Sequence, residues 1–238
     1  MINQKHTECF MKYNLFFVFY LFVIFNVSSQ SVSDTYRTAI NDGDMSNNGI
    51  WLPGKSISSH IEGSTYLFSN WVGSYKVISK KGVTSSLFNL NYNLNSKNLE
   101  AFVSKDSVFQ YDLNQIDYVI LQDKKFKVLN EDSLNGLFYE VFNGNRIKLF
   151  KEATVIVEYG VLNPLTQTKM QEDKYVKMYS YYFFVNGKYE KAKLNKNSIV
   201  KYTKDKSALV KEFASKNKLK YDFDDDVSKI LKYYDSLD

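Results

Sequence analysis

From Gln30 onward the chain holds one histidine, His60, in Ser58-Ser59-His60-Ile61-Glu62, and no cysteine. A serine, a histidine and an acid are the parts of a hydrolytic triad. A triad, however, is assembled from distant segments, and the strained Gly-x-Ser-x-Gly elbow that would expose the nucleophile is absent. His60 therefore reads as an ordinary surface or strand residue. A lone histidine without cysteine leaves little from which to build a zinc site or a thiolate nucleophile. Glycosidase-type carboxylate pairs meet only in three dimensions, and the 25 acids after Gln30 name no pair by themselves. No catalytic, cofactor-binding or metal-ligating residue is assigned, and the expectation leans away from an enzyme.

Two oxygen-rich stretches invite a calcium reading. Asp222-Phe223-Asp224-Asp225-Asp226 would need Gly at its sixth position and Glu at its twelfth to form an EF-hand loop. Those positions are Val227 and Tyr233, so the aspartates read as a helix start, where carboxylates cap free amides and meet the helix dipole. Asn41–Gly49 has its glycines misplaced for a calcium loop and reads as a plain turn.

Lys188–Lys220 carries eleven lysines against Glu190, Asp205 and Glu212, a local net of +8. Such density suits a polyanion: an anionic lipid or glycan of a cell envelope, or an envelope protein. The competing reading is a solvated face, partly neutralised by the six aspartates of Tyr221–Asp238. Around Asn186-Gly187, Tyr175, Tyr179, Tyr181, Tyr182, Phe183, Phe184 and Tyr189 form an aromatic cluster. Strand alternation puts Tyr179, Tyr181 and Phe183 on one face and Tyr182 and Phe184 on the other. This means either burial on both faces or an exposed stacking platform for sugars or peptides.

The elements that must position these groups are short aromatic and β-branched runs cut by turns. Phe138–Phe142, Asn143-Gly144-Asn145 and Arg146–Phe150 read as a hairpin, with Asn-Gly supplying the positive φ of a tight turn. Tyr179–Val185, Asn186-Gly187 and Lys188–Leu194 repeat it. Further strands are expected near Gly73–Ile78, Ser85–Asn91, Leu99–Val103, Val108–Asp112, Tyr118–Leu121, Phe126–Leu129 and Thr154–Tyr159. The last of these returns through a Pro164-containing connection. A turn every 8–12 residues predicts a mainly β domain: an antiparallel meander sheet or sandwich, or a rolled, barrel-like version. Val227, Ile230, Leu231 and Tyr234 then follow helical spacing, and Leu209, Val210 and Phe213 suggest a shorter helix before them. Two C-terminal helices are expected, near Ser207–Ser215 and Asp224–Ser236.

Leu15–Val27 is a thirteen-residue apolar run behind Lys5 and Lys12, ending in Val27-Ser28-Ser29. A charged start, an apolar core of about 7–15 residues and a small-residue exit make a secretory signal peptide, and cleavage is expected after Ser29. The run is shorter than the roughly 20 residues of a spanning helix, and the only cysteine, Cys9, precedes it, which excludes lipid anchoring. Residues 1–29 are thus signal and 30–50 a flexible leader. Residues 51–238 are one β-rich domain with a helical tail from about 205. After cleavage 29 basic and 25 acidic residues remain, a mild net charge of +4. A cysteine-free exported domain of this size suits a bacterial periplasm or outer surface, away from nucleic acid and not integral to the membrane.

Gly63-Ser-Thr-Tyr-Leu-Phe-Ser-Asn-Trp71, Gly73, Gly82, Leu90-Asn-Tyr-Asn-Leu94 and Ile230-Leu-Lys-Tyr-Tyr-Asp-Ser-Leu237 together resemble a group of exported β-rich proteins from Bacteroidetes. The likeness spans about Gly63 to Leu237. It implies an envelope location in a Gram-negative bacterium and a β fold with a helical tail, and it brings no catalytic residues. The functional expectation is a non-enzymatic binding or structural module for a protein or glycan. A barrel-like carrier of a small apolar ligand and, further off, a carboxylate-based hydrolase are the alternatives.

Overall fold

A computed structural model describes residues 49–53, 61–71, 73–104, 107–121, 124–131 and 134–237. The signal run, the leader up to residue 48 and His60 lie outside the described residues. The rest is mainly β, as expected.

Nine strands form one sheet. β3 (Ser74–Ser79) and β4 (Thr84–Phe88) make an edge hairpin. Beside it runs a six-strand antiparallel meander: β8 (Ile116–Leu121), β9 (Lys124–Glu131), β10 (Leu134–Asn143), β11 (Lys148–Glu158), β12 (Asp173–Val185) and β13 (Lys188–Ala192). The two-residue β2 (Ile61–Glu62) lies parallel to the start of β12. Between β4 and β8 the chain builds a second, four-stranded sheet from β5 (Leu90–Asn93), β6 (Asn98–Ser104) and β7 (Ser107–Tyr111), with β1 (Gly49–Pro53) on the edge of β7. The expected single strand over Ser85–Asn91 is broken at Asn89, whose φ of 54° lets the chain leave one sheet for the other.

The two sheets pack face to face. Leu90, Tyr92, Leu99, Ala101, Phe109 and Tyr111 of the smaller sheet meet Tyr75, Val77, Leu87, Val119, Phe126, Val128 and Leu137 of the larger. A polar peg joins them. The buried Tyr92 hydroxyl accepts the Leu137 amide at 3.1 Å, and burial pushes its ionisation up to about 12. Gly136 makes room: its φ is 128° and a Cβ there would overlap that hydroxyl.

The other half of this face is covered by helices. Three are present where two were expected: α1 (Lys196–Tyr202), α2 (Ser207–Lys216) and α3 (Asp224–Asp235). The extra helix is short. It starts at Asn195, whose side chain accepts the Ser198 amide at 2.9 Å, a local N-cap. Val227, Ile230, Leu231 and Tyr234 of α3 are all buried, against Val141, Ile147, Leu149 and Phe183 of the sheet. Each such side chain is worth about 1.5–3 kcal/mol when fully buried. On α2, Val210 and Ala214 turn inward and Phe213 stacks on Tyr233 at 4.1 Å, while Leu209 faces out.

The opposite face of the large sheet covers itself. Leu129, Leu134, Phe138 and Phe150 are buried among Tyr182, Phe184 and Tyr189, a cluster drawn from five successive strands. Burial in this cluster raises the Tyr189 ionisation, and the sheet stays open, with β13 and β4 as its two edges.

The two hairpin turns differ. Asn186 and Gly187 have φ of 52° and 76°, the tight turn expected of Asn-Gly. At Asn143-Gly144 no positive φ occurs. That loop is wider, and its Asn145 and Arg146 amides donate to the Asp235 carboxylate at 3.1 and 2.9 Å. Gly144 is needed for this approach, since a Cβ would meet Asp235 at 2.7 Å.

Candidate functional site

The smaller sheet and the helices leave a gap between them on the shared face of the large sheet. It forms a half-open cavity of about 190 Å³ lined by Leu67, Phe68, Lys124, Phe126, Leu137, Tyr139, Lys151, Ala153, Tyr179 and Asp224. Tyr179 also borders a second hollow of about 530 Å³, with Ser180, Tyr181, Lys191–Leu194 and Asp222. Tyr179, about half exposed, lines both hollows, which we term the Tyr179 groove.

Register builds the floor. Lys151 lies directly across from Tyr181 on adjacent strands, and α3 begins above them. Lys151 Nζ donates to Asp224 Oδ2 at 2.7 Å and the Tyr181 hydroxyl to Asp224 Oδ1 at 2.8 Å. Both charged side chains are only 20% exposed. Partial burial works against the Lys151 ammonium, but the bonds to Asp224 and Tyr181 outweigh it and raise its ionisation. Burial and the Asp224 bond push Tyr181 up as well. Lys151 Nζ also lies 4.5 Å from the Tyr179 ring centroid, and Lys124 Nζ 5.7 Å from that of Tyr139, both within cation–π range.

The wall of Leu67 and Phe68 is pinned from behind. The fully buried Asn91 accepts the Phe68 amide and donates to the Phe68 carbonyl, both at 3.0 Å. Next to it the buried Glu100 accepts from the Tyr66 hydroxyl at 2.6 Å and from Asn93 at 3.2 Å. Lys177 Nζ donates to the Leu67 carbonyl at 2.9 Å, and partial desolvation lowers its ionisation. The wall is therefore held from behind by Asn91 and by Lys177.

The aspartate cluster behaves differently from a simple cap. Phe223 is the N-cap residue, and it makes no side-chain cap bond. Asp224, Asp225 and Asp226 fill the first turn, where the dipole favours them, but Asp224 is the latch to the sheet. Asp226 accepts the Lys220 amide at 3.0 Å, which ties down the preceding loop.

Ten of the eleven lysines of Lys188–Lys220 are exposed and Lys206 is half-buried. Two of the segment's three acids are engaged: Glu190 pairs with Lys201 at 3.1 Å, and Asp205 with Arg146 from the first hairpin. Three of the six tail aspartates have partners of their own. Asp224 serves Lys151, Asp235 the Asn145–Arg146 turn, and Asp226 Lys229 and the Lys220 amide. The aromatic cluster divides as alternation predicted. Phe183 is buried under the helices, Tyr182 and Phe184 join the cluster on the opposite face, and Tyr179 and Tyr181 line the groove.

Sequence reasoning missed Lys151, Tyr139, Phe126 and Phe68, which share a site through pairing across β9–β12 and a loop whose Phe68 lies 58 residues before Phe126 of β9. The one usable signal was Lys151-Glu152 inside an otherwise apolar strand. Glu152 serves the opposite face, accepting from Lys97 at 3.2 Å and the Tyr182 hydroxyl at 2.9 Å. Glu62, beside His60 in the chain, is exposed in β2. Among the described residues no three His, Cys, Asp or Glu side chains gather where a metal ion could sit, and no helix is long and apolar enough to cross a membrane. The chain matches no family model, no curated protein and no solved structure.

Proposed function

We propose that this is an exported envelope protein of a Gram-negative bacterium, a non-enzymatic binding module that takes an anionic glycan along the Tyr179 groove. The observation that carries the reading is Tyr179 itself. A half-exposed ring beside a fixed ammonium, lining both hollows, offers a flat apolar face for a sugar ring and positive charge at its rim. The exposed lysines from Lys188 onward start at the same edge strand and extend that positive field. Hydrolysis would need a carboxyl group free to exchange a proton with the substrate, and Asp224 spends both oxygens on Lys151 and Tyr181. A carrier of an apolar ligand is disfavoured because, among the described residues, these two hollows are open to the surface and the face between the two sheets is filled by buried side chains.

Titration calorimetry with polyuronate oligosaccharides, against neutral dextran, tests the proposal. Binding to the polyuronate alone is expected, weakening as salt shortens the Debye length from about 10 Å at 0.1 M to about 3 Å at 1 M. Tyr179→Ala should weaken it about two- to tenfold, the range of a single aromatic contact worth about 0.5–1.5 kcal/mol. Reversing Lys201, Lys204, Lys206 and Lys211 to Glu should weaken it further. Equal affinity for dextran, or indifference to Tyr179→Ala, would overturn the reading.

A further inference from the structure

We infer that the hairpin joining β11 to β12 is an arm whose apolar tip enters the surface of a lipid bilayer. β11 pairs with β10 only as far as Glu152, and β12 pairs with β13 only from Tyr181. Between those limits Ala153–Glu158 and Lys174–Tyr179 pair with each other, a ribbon of about 20 Å at about 3.3 Å per residue. β2 pairs with Asp173 and Lys174 at its outer end, and Lys177 donates to the Leu67 carbonyl nearer the body.

Beyond the ribbon the tip is exposed and apolar. Leu165 at the apex is 93% exposed and Tyr159 77%, with Val161, Leu162 and Met170 between them in space and also exposed. Three observations say what medium fits this tip. First, its turn pairs much of its own backbone. The Asn163, Gln167 and Met170 amides donate to the Thr168, Asn163 and Val161 carbonyls at 2.8–2.9 Å. The Leu165 and Thr166 amides bond the Asn163 side chain, and the Gly160 amide bonds Asp173 at 3.0 Å. Each such internal bond lowers the cost of entering lipid, because no water is there to replace a missing partner.

Second, the apolar side chains point all round. Leu162 pairs with Lys169, so by alternation Val161 and Met170 lie on the other side of the ribbon, with Leu165 at the end. A ribbon docked on a protein would be apolar on one side only. Third, between Glu158 and Glu172 the only charged side chain is Lys169, and it is paired with Asp173 at 2.8 Å. Tyr159 stands behind the aliphatic apex, where a tyrosine meets the headgroups. The tip is neutral overall, so its attachment does not need anionic lipid, and it is independent of the lysine-rich segment and of the glycan reading.

The chain as its host exports it should cosediment with phosphatidylcholine vesicles, reversibly and near the strength of a single acyl anchor of about 10⁴ M⁻¹. Because the contact is apolar, it should persist in 1 M salt. Leu165→Asp should weaken it about tenfold or more, the worth of burying one leucine, without moving the thermal midpoint. In Leu165→Trp the added fluorescence should be quenched by tail-brominated lipid, while that of Phe88→Trp, on the β4 edge, should not. Absence of quenching at 165, equal quenching at both positions, or unchanged cosedimentation of Leu165→Asp would overturn the inference. So would a concentration-dependent dimer abolished by Leu165→Asp, which would give the tip to a second copy of the chain.

Discussion

Tyr92→Phe removes one oxygen from the core and tests what holds the two sheets in register. β10 pairs with β11 only from Phe138 onward, and the Leu137 amide is taken by the Tyr92 hydroxyl at 3.1 Å. Phenylalanine fills the ring's volume and leaves that buried N–H without a partner. An unsatisfied buried donor costs about 1–3 kcal/mol. For a domain of this size each kcal/mol moves the thermal midpoint by about 2–4 °C, so the expected drop is about 2–12 °C. Tyr111→Phe is the control. Tyr111 is as deeply buried, in the same cluster, and burial alone pushes its ionisation up to about 12, without a backbone amide on its oxygen. Urea titration and thermal scans of both variants, with unchanged m-values, make the comparison. If Tyr92→Phe costs no more than Tyr111→Phe, the hydroxyl is not a peg between the two sheets.

Asp224→Asn should destabilise by about 1–3 kcal/mol, because it leaves Lys151 without its counter-charge in a partly buried site while the Tyr181 bond survives. Lys151→Met should recover part of that loss in a double-mutant cycle, which reads the pair directly. Alkaline pH should unfold the chain. Burial raises Tyr92, Tyr111 and Tyr182 to about 12 and lifts Tyr75, Tyr139 and Tyr181 as well. A raised folded value contributes stability below the unfolded value of about 10, and that stability is lost as pH climbs from there through about 12. The tyrosinate band should therefore appear in a cooperative step together with loss of β circular dichroism; gradual, independent titration would refute it.

Local order was legible, and long-range pairing was not. The helix α3 was readable because its apolar residues and its acidic start agree with each other and need no partner to be recognised. The Asn186-Gly187 turn was readable for the same reason. Asn143-Gly144 looked identical in sequence, but there the turn is shaped by Asp235 from the far end of the chain, and local chemistry gave way to a tertiary contact. β11 looked like two strands because Lys151 and Glu152 interrupt its apolar pattern. Each charge has its own partner on its own face, so the strand runs unbroken to Glu158.

That continuity links the fold to the proposed activities. Lys151 sits at the point where β11 is about to leave β10, with Asp224 above it and Tyr181 across from it. The latch therefore closes the floor of the groove and fixes the root of the arm at one place. Loosening it by Asp224→Asn acts on both, since Tyr179 is the last arm residue before the body and also lines both hollows. The two surfaces still answer to different chemistry. Groove binding should fall with salt and with loss of the Tyr179 ring, while arm insertion should ignore salt and fall with Leu165. A variant such as Leu165→Asp, altered some dozen residues from the groove along a self-bonded ribbon, should leave polyuronate affinity unchanged. If it weakened glycan and vesicle binding alike, tip and groove would form one site, and the separation drawn between them would fail.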